Sequence, residues 1–233
     1  MEYNLRKRIT SCTITKELIG SIEEYIKIDL VKFLALSSDV SKDFSIEVLD
    51  RLGKEKYNSF SEYRPIGFDD NIKAIEIVYY CQEKFTTRIS LEISFGISKT
   101  DSDLNIHLKG DNAKEKCYSI VSRIEDLIRP AKTNNRRFHS YWYVMIWIFP
   151  LYLFWFSPFF ISKKLYAMFI IIPLLTTFLI VLAFSPHIIK PYCDFNTRKQ
   201  RIIQQYFKFF YWGILGFVFF NLIFSSLFGK LFN

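Results

Sequence analysis

The stretch 88–109 reads RISLEISFGISKTDSDLNIHLK and decides the fold of the N-terminal part of the chain. Apolar side chains occupy every second position from Ile89 to Ile97 and again from Leu104 to Leu108, with small, polar or charged residues between them. A period of two is typical of a β-strand that buries one face. The polar run 98–103 favours a turn between the two strands. The stretch therefore predicts an antiparallel β-hairpin.

This hairpin is expected to belong to a larger antiparallel sheet. Residues 44–48 alternate in the same way, and residues 72–81 are fairly apolar on both faces, so each segment predicts a further strand. The irregular connection 53–68 contains Pro65 and Gly67 and has room for one short edge strand.

Two segments carry apolar residues at helical spacing. The first has two candidate N-caps, Thr13 and Thr15, because a threonine hydroxyl accepts a hydrogen bond from the first helical turn, and its end is expected near 36–38. The second is expected to be capped by Asp111 and ended by Pro130. The apolar stripes are Leu18, Ile22, Tyr25, Ile26, Leu30, Phe33 and Leu34, and Ala113, Cys117, Ile120, Val121, Ile124, Leu127 and Ile128. Such stripes predict an α+β domain over 1–130, with helices on one face of an antiparallel sheet.

The opposite face of the predicted sheet is polar. Alternation places Arg88, Glu92, His107 and Lys109 on it. Two interpretations stay open at this point, a plain solvated surface and a shallow binding face.

The C-terminal part of the chain contains three long apolar stretches, 141–161, 166–184 and 209–228, with no charged residue inside any of them. Each approaches the ~20 residues that an α-helix needs to cross a bilayer. They predict an all-α transmembrane domain of three helices over 141–229, joined to the α+β domain by a basic juxtamembrane linker at 131–140.

Lys and Arg are distributed unevenly around these stretches. Nine lie on the flanks that share a side with the N-terminal domain and three on the other side, and Lys and Arg collect in cytoplasmic loops. This asymmetry predicts an integral protein of the plasma (inner) membrane with a cytoplasmic N-terminal domain and an external C-terminus.

Two sets of residues are candidates for contacts in and at the membrane. The segment 196–208 is amphipathic and basic, which favours either contact with anionic lipid on the inner leaflet or a simple topology anchor. The lipid or anion contact candidates are Arg136, Arg137, Arg198, Lys199 and Arg201. A stripe with a period of four favours helix packing within the chain or between subunits, since small residues let backbones approach. Its members are Gly213, Phe217, Asn221, Ser225 and Gly229.

No pattern in the sequence predicts catalytic, cofactor-binding or metal-binding residues. The histidines His107, His139 and His187 have no nearby nucleophile or carboxylate arrangement, and the chain has only 8 glycines, too few for a phosphate-cradling loop. The four cysteines, Cys12, Cys81, Cys117 and Cys193, are far apart and are interpreted as reduced thiols. Residues 1–128 carry 19 Lys and Arg against 22 Asp and Glu, which argues against nucleic acid as a partner.

We therefore expect a non-enzymatic sensor-effector whose cytoplasmic domain binds a ligand or protein partner and whose oligomerising helices act on the bilayer. At the level of architecture this layout resembles small membrane effectors of bacterial anti-phage (antiviral) defence. The alternative is a membrane adaptor that recruits a cytosolic complex, and a third hypothesis is a membrane enzyme on lipid using His187 and Asp194. The partners expected are the lipid bilayer, a homo-oligomer or cytosolic protein, and a small-molecule or nucleotide ligand.

Overall fold

Six strands form one antiparallel sheet in the computed structural model, which describes residues 1–36, 41–63, 68–83, 87–137, 139, 190–206, 208–209 and 213. The strands are β1 (Glu2–Arg8), β3 (Ser41–Leu49), β4 (Lys54–Tyr57), β5 (Ala74–Glu83), β6 (Thr87–Gly96) and β7 (Asp103–Lys109), in the order β1-β7-β6-β5-β3-β4. A separate two-stranded parallel sheet pairs β2 (Cys12–Thr13) with β8 (Cys193–Asp194).

The centre of the sheet is the predicted hairpin and the strand before it. β5, β6 and β7 follow one another as neighbours, so the hairpin of β6 and β7 is confirmed. Their alternating apolar residues lie in register on one face, where Tyr79, Leu91 and Ile106 form one row across the three strands and are almost fully buried. The short edge strand expected within 53–68 is present as β4, whereas β1 was not predicted.

Two helical segments lie on that buried face. α1 (Lys16–Glu24) begins after Thr15, whose Oγ1 accepts a hydrogen bond from the Leu18 N–H group at 3.2 Å, so Thr15 is the N-cap. α1 continues through a π-helical segment (Tyr25–Leu30) into α2 (Val31–Phe33).

The second helical segment is α3 (Ala113–Ile128), followed by a 3-10 turn (Arg129–Ala131). Its predicted N-cap at Asp111 is wrong. Asn112 takes the cap position with a left-handed φ of 54° and makes no side-chain capping hydrogen bond.

The helices and the sheet enclose a single apolar core. α3 packs on β1 and β7 and contacts α1. The apolar stripes of both helical segments belong to the same cluster as the inner sheet face, except for Phe33, which is exposed. The α+β arrangement, with helices on one face of an antiparallel sheet, follows from this packing.

Residues 190–197, far along the sequence from the sheet, also contribute to this core. The Tyr192 hydroxyl donates to the carbonyl oxygen of Ile9 at 2.8 Å, and its N–H group donates to the carbonyl oxygen of Ile97 at 2.8 Å. Phe195 is 1% exposed and packs edge-on against Phe68, with ring centroids 5.8 Å apart. This segment therefore fastens the N-terminal strands to the turn after β6.

In the part of the chain that the structure describes, none of the helices combines the length and the apolar character needed to cross a membrane. The predicted all-α domain of three transmembrane helices is therefore wrong, and the transmembrane class and the integral-membrane localisation are wrong with it. α3 has 16 residues, which is about 24 Å of helix against ~30 Å of hydrocarbon, and it is charged along its outer side. The stretches 141–161, 166–184 and 209–228 lie outside the described residues, apart from Phe209 and Gly213.

Candidate ligand-binding site

The sheet face that points away from the helices carries the candidate site. Strand register places Gln82, Arg88, Lys109 and Glu2 in one row across β5, β6, β7 and β1. Alternation had placed Arg88 and Lys109 on this face, and the register now makes them direct cross-strand neighbours. The row lies at the end of the sheet where the β5–β6 hairpin turns, since Glu83 and Thr87 are the next pair along.

Arg88 and Lys109 are direct neighbours in the middle of this row. Side chains directly opposite each other on antiparallel strands have Cβ atoms ~4.5–5.5 Å apart, and like charges in that position destabilise a sheet. Within the described part of the chain, neither Arg88 nor Lys109 has a carboxylate oxygen within the 4.0 Å of a salt bridge. Neither cation is therefore paired with a carboxylate of the described residues.

The nearest carboxylate in the row is bound to another partner. Glu2 is the neighbour of Lys109 on β1, but its Oε1 atom lies 2.6 Å from Nε2 of His107 instead. The Glu2 carboxylate therefore contacts the imidazole of His107 and forms no salt bridge with the Lys109 ammonium group. The Glu2 side chain is 58% exposed, so the Glu2–His107 pair is in contact with water.

The other end of the row is held by aromatic and amide contacts. The guanidinium carbon of Arg88 lies 5.4 Å from the centroid of the Tyr80 ring, a cation–π contact that keeps the guanidinium near the sheet surface. The Tyr80 hydroxyl donates to Oε1 of Gln82 at 2.5 Å. Because the carbonyl end of Gln82 is occupied, its amide N–H groups are the end that can donate to a ligand.

These side chains enclose a cleft of about 180 Å³. Its lining residues are Glu2, Gln82, Glu83, Thr87, Arg88, His107 and Lys109. The guanidinium and ammonium groups, the amide and the threonine hydroxyl can all donate hydrogen bonds, and an Arg fork matches carboxylate and phosphate geometry. The arrangement is suited to hold an anionic group at its centre, with hydrogen-bond acceptors at one side.

A larger groove, of about 640 Å³, lies between the start of α1 and the end of α3, and it is a weaker candidate. Its charged lining residues Glu17, Asp126 and Lys132 are of both signs, and Asp126 already pairs with Arg129 at 2.8 Å. Its described lining has no pair of like charges on directly opposite strand positions, as Arg88 and Lys109 are.

The structure assembles some of the outer-face residues and separates others. Arg88, His107 and Lys109 line the cleft together, whereas Glu92 lies farther along β6, opposite Val78 and Asn105. Glu2 was missed because β1 was not predicted. Gln82 and Thr87 gave no signal of their own in the sequence.

The candidates for lipid or anion contact lie elsewhere. Arg136 and Arg137 form an exposed 3-10 turn (Asn135–Arg137), in which the Arg136 N–H group donates to Ser11 Oγ at 3.1 Å. Arg198, Lys199 and Arg201 are exposed on the helix at 198–206. No hydrogen bond or ion pair among the described residues joins the two groups.

Of the helix-packing candidates, the structure describes one. Gly213 is exposed and has space around it, since an added Cβ would meet nothing within 4 Å. Phe217, Asn221, Ser225 and Gly229 lie outside the described residues.

Comparison of the chain with protein-family models, with curated proteins and with solved structures gives no match.

Proposed function

We propose that the α+β domain is a recognition module that binds an anionic small molecule in the cleft around Arg88 and Lys109. One observation carries the proposal: these two cations are direct cross-strand neighbours, and neither forms a salt bridge with a described carboxylate. A bound anion would remove their repulsion and gain charge-assisted hydrogen bonds from both groups.

The chemistry of the lining defines the class of ligand. Arg88, Lys109, Thr87 and the Gln82 amide supply donors for a phosphate or carboxylate group. The Glu2 carboxylate at the edge accepts hydrogen bonds from a hydroxyl or amino group. Since small-molecule pockets usually measure ~300–1,000 Å³, a cleft of about 180 Å³ encloses only part of a ligand. A nucleotide or another phosphorylated or carboxylated metabolite fits this description.

Binding is supported better than catalysis. The Glu2–His107 pair is the acid–base pair of the cleft, and the 58% exposure of Glu2 leaves it in water, where a charge developing in a reaction is not stabilised by a dry, fixed environment. In the proposed module the bound ligand changes the surface charge at this end of the sheet, where a protein partner or a second copy of the chain would bind. The oligomer and the protein partner both stay predictions.

The test is isothermal titration calorimetry of the full-length chain at constant ionic strength. The ligands titrated are inorganic phosphate, adenosine monophosphate and a dicarboxylate. At least one of these probes is expected to bind saturably. Arg88→Gln and Lys109→Gln should each weaken that binding about tenfold or more, because a hydrogen bond to a charged group contributes ~1.5–3 kcal/mol.

Lys56→Gln is the matched control. Lys56 is exposed on the same sheet face, on β4 opposite Glu47, at the far edge from the cleft. It should leave the affinity unchanged within about twofold, since a screened exposed charge contributes little at a distance. Equal losses of affinity in all three variants would show that binding depends only on net charge, which would contradict the proposal. The proposal would also be refuted if none of the probes bound saturably.

A further inference from the structure

The two cysteines of the small parallel sheet face each other in the interior. Cys12 on β2 and Cys193 on β8 are register partners, 181 residues apart in sequence. Their Sγ atoms are 3.9 Å apart, and both side chains are fully buried. From this juxtaposition we infer that Cys12 and Cys193 form a redox modification site, in which a hydroperoxide converts the two thiols into an intramolecular disulfide.

The backbone arrangement is compatible with that bond. Disulfides span Cα–Cα distances of ~4.4–6.8 Å, and paired strands are ~4.7–4.9 Å apart. Closing the gap between the sulfurs therefore needs side-chain rotation and a small approach, with no change of register. Cys81 and Cys117 lie on β5 and α3, and neither has a described sulfur within hydrogen-bonding distance.

The surroundings assign different roles to the two sulfurs. Cys193 Sγ lies 3.5 Å from Ser102 Oγ and 3.9 Å from Cys12 Sγ. The Cys12 hydrogen bond, together with that from Ser102, lowers the pKa of the Cys193 thiol against the effect of burial. The hydrogen bond to Cys193 and then burial raise the pKa of the Cys12 thiol. Because Cys193 alone of the two has this additional contact with Ser102, the proposal assigns it the first attack.

The reaction balances with one molecule of hydrogen peroxide. The Cys193 thiolate attacks one peroxide oxygen, the O–O bond breaks, and the departing hydroxide takes up the proton that Cys193 lost, which gives a sulfenic acid and water. Cys12 then attacks the sulfenic sulfur, the S–O bond breaks, and the Cys12 proton leaves with the hydroxide as a second water. Both sulfurs are oxidised by one electron each, and the peroxide is reduced.

Peroxide reaches the buried pair when the small sheet opens. β2 and β8 pair over only two residues each, so a transient opening of this ladder exposes the sulfurs while the six-stranded sheet stays folded. Once formed, the disulfide ties residues 190–197 to the N-terminal strands and closes a very long loop, which restricts the unfolded chain.

The experiment uses the full-length chain, reduced and then freed of reductant, before and after treatment with hydrogen peroxide. Of the 4 cysteines, two should stop reacting with a thiol reagent under denaturing conditions. The intact mass should fall by about 2 Da, and non-reducing peptide mapping should find Cys12 joined to Cys193. The oxidised chain should melt about 5 °C or more above the reduced one.

Four matched variants complete the test. Cys12→Ser and Cys193→Ser should abolish the mass loss and the rise in melting temperature, whereas Cys81→Ser and Cys117→Ser should keep both. If a serine variant fails to fold, peptide mapping of the unmodified chain still decides. Four reactive thiols after peroxide, a disulfide involving Cys81 or Cys117, only intermolecular dimers, or only a gain of oxygen would each overturn the inference.

Discussion

Gly96 ends β6 at a place where no side chain fits. A Cβ atom built on it would lie 2.5 Å from Cβ and 2.7 Å from the carbonyl oxygen of Asp101. We predict that Gly96→Ala lowers the free energy of unfolding by ~1–3 kcal/mol, since overpacking shifts the backbone of the turn. Gly20→Ala in α1 is the control, because its Cβ would meet nothing within 4 Å and alanine favours a helix. Urea unfolding of both variants measures the two effects, and equal stabilities would contradict this account.

The candidate site could be predicted residue by residue only in part. Alternation along β6 and β7 put Arg88, His107 and Lys109 on one face, because side chains of a strand point alternately to its two sides. Alternation does not give strand register, so it could not show that Arg88 faces Lys109 or that Glu2 reaches His107. Those contacts depend on which strands pair and at which position.

At the level of elements, the Glu23 carboxylate of α1 binds the backbone of the segment that follows β4. Glu23 Oε1 lies 2.5 Å from Lys27 Nζ, and its Oε2 accepts from the Phe60 N–H group at 2.9 Å. Burial opposes the charge on Glu23, but the hydrogen bonds from Lys27 and Phe60 outweigh it and hold the pKa below its ordinary value of 4.5. A carboxyl group with a lowered pKa in the folded state stabilises the fold above the pKa of the unfolded state, and this contribution is lost as the pH falls.

We therefore predict that Glu23→Gln is less stable than the unmodified chain by about 1 kcal/mol at pH 7. The difference should shrink as the pH falls below about 4.5, because the unmodified chain then loses the charge that the variant never had. Thermal unfolding from pH 7 to pH 3 measures this. Glu24→Gln, at an exposed position of the same helix, should follow the unmodified chain at every pH, and a constant difference for Glu23→Gln would count against the ion pair.

The elements that the sequence predicted well are those with a strong single-faced pattern. β6, β7 and α3 each bury one apolar face, and that burial imposes the periodicity from which they were predicted. On its inner face β1 has only two apolar residues, Tyr3 and Leu5, and it carries Arg6, Lys7 and Arg8 in succession, so its composition resembles a charged terminus. Pairing with β7 makes it a strand, and pairing is a tertiary effect.

For the whole molecule, the least predictable feature is that residues 190–197 complete the core. The segment is short, and its buried residues Tyr192, Cys193 and Phe195 have no periodicity that identifies an element. Its position is fixed by contacts to residues more than a hundred positions away, such as Ile9 and Cys12. Local patterns contain no information on such contacts, which is why the segment was assigned to a different part of the molecule.

If this segment belongs to the cooperative core, a single hydroxyl in it should affect the stability of the entire domain. Tyr192→Phe removes the donor to the Ile9 carbonyl oxygen and leaves that acceptor buried without a partner, at a cost of ~1–3 kcal/mol. We predict a lower urea midpoint with an unchanged slope, which is the signature of one transition for the whole unit. Tyr206→Phe, at a side chain that is 73% exposed, should change nothing measurable. A separate early transition, or protease cleavage near residue 192 before the sheet unfolds, would mean that the segment unfolds independently of the domain and is not part of its cooperative core.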